Sequence, residues 1–167
     1  MKHVVLAAGL GALVACGDTT VAVGRDSAPD VDGGGNEFLA SDLWAATAGY
    51  EAWTRPDGWS ATPIESSEHV GLFVVRFDNP TLAAWDGSGA APEGSISLKE
   101  EYDADGALVS YTAMEKIAGY DAAHADWFWA KYEADGAVRA SGQVAMCWGC
   151  HVDAPQDYLH TEPPSGP

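Results

Sequence analysis

Ile96-Ser97-Leu98-Lys99-Glu100-Glu101-Tyr102-Asp103-Ala104-Asp105-Gly106 is the stretch that decides the fold. Ile96, Leu98, Glu100 and Tyr102 alternate with Ser95, Ser97, Lys99 and Glu101. That period of two sends successive side chains to opposite faces of a strand. Asp103-Ala104-Asp105-Gly106 then turns the chain, because Asp-Gly between strand-like runs is a strong hairpin signal. The turn recurs, almost unchanged, as Glu133-Ala134-Asp135-Gly136. Val109 to Lys116, Trp127 to Tyr132 and Ala137 to Ala140 are the flanking strands. Nothing between them is long enough for a crossover helix, so the sheet is expected to be antiparallel.

Upstream, Val70 to Phe77 is a β-branched and aromatic run, hence a strand. Asn79-Pro80 offers a cap followed by proline at the first helical position, so Thr81 to Trp85 reads as a short helix. Leu39, Leu43, Ala46, Tyr50 and Trp53 recur at spacings of four and three, one apolar helix face that Pro56-Asp57-Gly58 ends. Downstream, Gln143 to Val152 reads as a helix. The expected class is α+β: a mainly antiparallel sheet of about four or five strands with flanking helices, in a single domain. A chain of 167 residues has room for one such core and a leader, not for two domains.

The ends read differently. Met1-Lys2-His3 is a short basic start and Val4 to Val14 is almost wholly apolar, the pattern of a signal peptide over residues 1–15. Leu13-Val14-Ala15-Cys16 resembles a bacterial lipobox, which makes Cys16 the lipidation site. Residues 16–36 are rich in Gly, Asp and Ser and include Gly33-Gly34-Gly35, so they are expected to tether the folded part, residues 37–162. Residues 163–167 form a tail. The expected location is the periplasmic side of a bacterial membrane, or the cell surface. Gly17, standing where Asp would retain a lipoprotein at the inner membrane, favours the outer one.

Net charge is −17, from 8 Lys and Arg against 25 Asp and Glu, which excludes nucleic acid as a natural partner. The chain has 3 Cys, an odd count for an exported protein. Cys16 is taken by the lipid, and Cys147-Trp148-Gly149-Cys150-His151 takes the other two, leaving none for a disulfide. Cys-x-x-Cys-His is the attachment signal for c-type haem. Two Cys three apart on a helical turn reach the vinyl groups on one side of a porphyrin, and the next residue presents its imidazole to iron. Cys147 and Cys150 are therefore the expected haem anchors and His151 the expected metal ligand. A zinc site would need two more close Cys or His ligands. A thioredoxin-like pair would sit in a βαβ unit, whereas Cys147 follows a hairpin. The candidates for a sixth iron ligand are His69, His124, His160 and Met114, with Met146 too close to the attachment turn to reach the opposite face.

Phe73 to Asp86, followed by Pro92-Glu93-Gly94-Ser95-Ile96-Ser97-Leu98-Lys99-Glu100, resembles the cytochrome P-460 family. Met114-Glu115-Lys116, Gly119-Tyr120-Asp121, Asp126-Trp127-Phe128, the haem motif and Asp157-Tyr158-Leu159 continue the resemblance in order, over about residues 41 to 161. The resemblance implies a mainly antiparallel sheet, commonly in a homodimer, and an enzyme that oxidises hydroxylamine. It places Lys99 at the position where the family's lysine is cross-linked to the porphyrin. The family's distal carboxylate falls either on Glu115, the nearest acid, or on Thr112. Strand alternation puts those two on opposite faces, so one pocket cannot take both.

Three functions compete: oxidation of a small nitrogen compound with electrons passed to a partner cytochrome, capture of nitric oxide or carbon monoxide as in the related cytochromes c-prime-beta, and simple electron transfer. The lipobox carries a test of its own. A buried acyl chain contributes about 0.8 kcal/mol per methylene, so mature protein from a bacterial host should partition into membranes and take up labelled lipid. Cys16→Ser should abolish the label, and soluble, unlabelled wild-type protein would overturn the anchor.

Overall fold

The computed structural model describes residues 35–163. The leader, Cys16, most of the tether and the last four residues lie outside them. The order is α1 (Gly35–Ala46), a 3-10 turn (Tyr50–Ala52), β1 (Ile64–Glu65), β2 (Phe73–Asp78), α2 (Pro80–Ala83), β3 (Ile96–Tyr102), β4 (Leu108–Lys116), a second 3-10 turn (Ala122–His124), β5 (Trp127–Glu133), β6 (Val138–Gly142) and α3 (Ala145–His151). All six strands form one antiparallel sheet in the order of the chain. This is the α+β class expected, with one strand more than the upper count. The addition is the two-residue β1, too short to leave a periodic signal.

Other boundaries moved for local reasons. Gly35 and Asn36, expected in the tether, open α1. That helix stops at Ala46 and the chain turns at Gly49 in the left-handed region (φ 77°), so Tyr50 and Trp53 reach the core from a 3-10 turn rather than from the same helix. Gly71 (φ 80°) breaks the run from Val70, and β2 starts only at Phe73. The α2 cap is as read: Asn79 Oδ1 accepts from Leu82 N at 2.9 Å, with Pro80 next in line. Both hairpin glycines, Gly106 (φ 80°) and Gly136 (φ 86°), hold the left-handed position that L side chains avoid, and the ladder slips by one residue beside each turn. At Gly136 the indole of Trp44 would lie 2.7 Å from any Cβ, so this glycine also admits the helix to the sheet.

The sheet is covered on both faces, and the period of two sorts its residues. On one face Ile96, Leu98, Tyr111, Ala113, Phe128, Ala130 and Tyr132 pack with Ala40 and Leu43 of α1 into the main core. On the other, Met114, Trp127 and Trp129 join Leu82, Ala91 and Leu159, with Cys147 and Trp148 of α3 against them. Among the described residues no helix is long and apolar enough to cross a membrane. Leu43 is wholly buried at the centre of the α1 interface. Leu43→Ala should cost about 2–5 kcal/mol of unfolding free energy, read as a lower urea midpoint with an unchanged slope.

Candidate functional site

The second face does not close completely. A cavity of about 320 Å³ lies between the sheet and α3, at the small end of the range typical of ligand sites. Its sheet wall follows from register. Arg76, Lys99, Thr112, Lys131 and Ala140 pair across β2 to β6 in one row, so all five face the same way. Asp78, Ser97, Met114 and Trp129 form the next row. From the helix come Met146, Cys147, Cys150 and His151, whose spacings of three and four put them on one side of α3. His69, Glu68, Leu72, Leu159 and His160 also line it, together with Arg139.

Cys147, Cys150, His151, Lys99 and Thr112, read from the sequence as site residues, all line this one cavity. Glu115 does not. It sits on the opposite face, between Ile96 and Phe128 in the ladder, where burial and the nearby Asp42 of α1 raise its pKa. The alternation of β4 makes that exclusion unavoidable. Of the residues read as sixth-ligand candidates, His69, His160 and Met114 line the cavity, as does Met146 of the attachment helix. His124 points elsewhere: its Nδ1 bonds Asp121 Oδ2 at 2.7 Å and its ring stacks on Trp148 at 4.2 Å.

His151 donates from Nδ1 to the carbonyl of Tyr158 at 2.7 Å, which leaves Nε2 as the nitrogen able to bind a metal. Burial, and then the charge of Lys99, hold the imidazole neutral well below its ordinary range. The Cys147 thiol is free, and burial pushes it up to about 11, so it is no thiolate nucleophile at neutral pH. Cys150, by contrast, is disulfide-bonded, where the sequence reading left no cysteine for a disulfide.

Four of the six Lys and Arg among the described residues line the cavity of this acidic protein: Arg76, Lys99, Lys131 and Arg139. Arg76 is paired with Asp78 at 2.9 Å and Lys131 with Glu101 at 3.3 Å. Among the described residues Lys99, only 8% exposed, has no ion pair or hydrogen bond. Its ammonium lies 5.7 Å from the Trp59 ring centroid. Burial, then the charge of Arg76, pushes its pKa down to about 8. Trp129 Nε1 and His160 Nε2 are also buried without a partner. Three nitrogens around one cavity thus have no hydrogen-bond partner among the described residues, an arrangement that costs stability unless a ligand supplies one.

Glu101 is the residue the sequence reading passed over. It is fully buried and bonds His69, Ser110 and, at a long 3.4 Å, the hydroxyl of Thr112. Its place on the Lys99 face was legible from alternation. Its partners, which come from three separate segments, were not. Among the described residues no group of three or more His, Cys, Asp or Glu could hold a bare metal ion. The chain matches no family model, and no curated protein matches it.

Burial alone would raise the pKa of Glu101, but the hydrogen bond and charge of His69, with Lys131 and Ser110, bring it down to about 2 from an ordinary 4.5. A depressed carboxylate stabilises the fold above its unfolded pKa, and that contribution disappears as pH falls through the folded value. Glu101→Gln should therefore lower stability at neutral pH by on the order of 3 kcal/mol. Between about pH 4.5 and about pH 2 the wild type should lose this contribution while the variant stays flatter, as followed by acid unfolding monitored by tryptophan fluorescence.

Proposed function

We propose that this chain is an exported, lipid-anchored, mono-haem c-type cytochrome of cytochrome P-460 type whose cavity acts on small nitrogen species, with hydroxylamine oxidation as the reaction. One observation carries the reading: the Cys147, Cys150 and His151 motif and Lys99 line the same cavity, one set from the helix and the other from the sheet.

The residues suit a haem. The wall offers apolar surface from Leu72, Met114, Trp129 and Leu159 to a flat macrocycle, and cationic side chains to its carboxylates. The neutral His151, tied through Nδ1, is in the form that binds iron, and the single imidazole suffices because the porphyrin supplies the other nitrogens. Cys147 and Cys150, on one side of α3, would carry the thioethers. When bound, the haem supplies an iron that withdraws electrons from a small nitrogen ligand. Around it Lys99 offers an amine set over the Trp59 ring, and Thr112 a hydroxyl in the same cross-strand row. Glu101, ionised, orients Thr112 and His69. His69 lines the cavity with its side chain 18% exposed, so it is the exit for protons released there.

The cytochrome c-prime-beta reading, a carrier or sensor of nitric oxide or carbon monoxide, draws on the apolar part of the same wall. Mass spectrometry of protein matured with haem-attachment machinery separates the two. Haem should stay with the chain on a denaturing gel, less so in Cys147→Ala or Cys150→Ala. Peptides holding Lys99 and Cys147 to His151, joined through one porphyrin, support the hydroxylamine enzyme. Two separate peptides with haem on the second would favour the gas binder, and haem extracted by acid acetone would overturn both.

A further inference from the structure

Among the described residues, the four non-glycine residues with left-handed backbone come as two adjacent pairs, Ala125 (φ 55°) with Asp126 (φ 59°), and Asp157 (φ 45°) with Tyr158 (φ 65°). Such conformations persist in L residues only where the surroundings impose them. One ammonium joins the two pairs. Lys116 Nζ donates to Ala125 O at 2.5 Å and to Asp157 Oδ2 at 2.8 Å. Both side chains of that ion pair are 9% exposed. Asp157 is held twice more: Ala91 N donates to Oδ2 at 2.7 Å, and Trp127 Nε1 donates to its carbonyl at 2.8 Å. The carbonyl of the next residue, Tyr158, is the acceptor for His151 Nδ1.

We propose that Lys116 and Asp157 form a clamp that sets His151 as a metal ligand, by fixing the carbonyl to which its Nδ1–H is bonded. This rests on the haem reading above. The two residues lie outside the cavity lining and touch neither ligand nor metal, so they are positioning residues. A firmly placed acceptor at Nδ1 makes the imidazole a stronger donor through Nε2 and fixes its ring plane. A stronger axial donor stabilises ferric over ferrous iron and so lowers the reduction potential. A main-chain acceptor can be aimed only by the backbone around it, which gives the strained Asp157-Tyr158 pair a purpose. The salt bridge would then act on iron through one peptide unit.

The test uses mature protein with its haem attached. Asp157→Asn keeps the shape but removes the charge that Lys116 holds. The iron–histidine stretching band of the ferrous form, read by resonance Raman, should move to lower frequency and the reduction potential should rise, with covalent haem retained. Asp157→Glu should restore part of both shifts. Tyr158→Phe keeps the carbonyl and should leave both at wild-type values. Unchanged band and potential in Asp157→Asn, or an equal shift in Tyr158→Phe, would overturn the clamp. Should Asp157→Asn fail to fold, Lys116→Arg, which keeps the charge on a wider head, should shift both in the same direction by less, and no shift there overturns it. A wild type without covalent haem, or with no histidine band, would instead sink the haem reading itself.

Discussion

Every feature of the site depends on the side-chain alternation of β3 and β4 in a sheet buried on both faces. Leu98 and Ala113 go to the α1 core, and Lys99 and Thr112, their neighbours in sequence, go to the cavity. A sheet with one wet face would have left Lys99 in solvent, where an ammonium needs nothing. Here α3 and the Gln156 to His160 segment cover that face, so the same lysine is enclosed. The chemistry available to the cavity is thereby a consequence of a packing decision made on the other side of the sheet.

Enclosure has an electrostatic cost, and the fold offsets it unevenly. Arg76 and Lys131 each face a carboxylate, and Glu101 gathers a histidine, a lysine and two hydroxyls. Buried charges arranged this way are tolerable because each is hydrogen-bonded. Lys99, Trp129 Nε1 and His160 Nε2 are left out of that arrangement. The uneven distribution is what separates a ligand site from a buried structural network: Lys116, next after Met114 on this face of β4, is paired with Asp157, and neither lines this cavity.

Much of this was legible before any coordinates. The alternation from Ser95 to Tyr102 gives β3 to within one residue, both Asp-Gly turns are hairpins, and the antiparallel class holds, because period and turn chemistry are local properties. The helix face drawn through Tyr50 and Trp53 was not one helix, since an apolar spacing of three or four is also produced by a helix followed by a 3-10 turn. The exclusion of one member of the Thr112 and Glu115 pair was legible from alternation. Which member was excluded was not.

The amino-acid sequence by itself determined the strand period, the turns, the Cys-x-x-Cys-His spacing and the placement of Lys99 with Ser97 and Glu101 on one face. Each depends on residues within a few positions of one another. Only the tertiary structure decided which face met α3, that Lys99, Thr112, His69 and His151 would share a cavity, and that Glu101 would be buried against His69 and Lys131. Those outcomes depend on contacts between segments tens of residues apart, and such contacts are chosen by the packing of the whole core rather than by any local pattern.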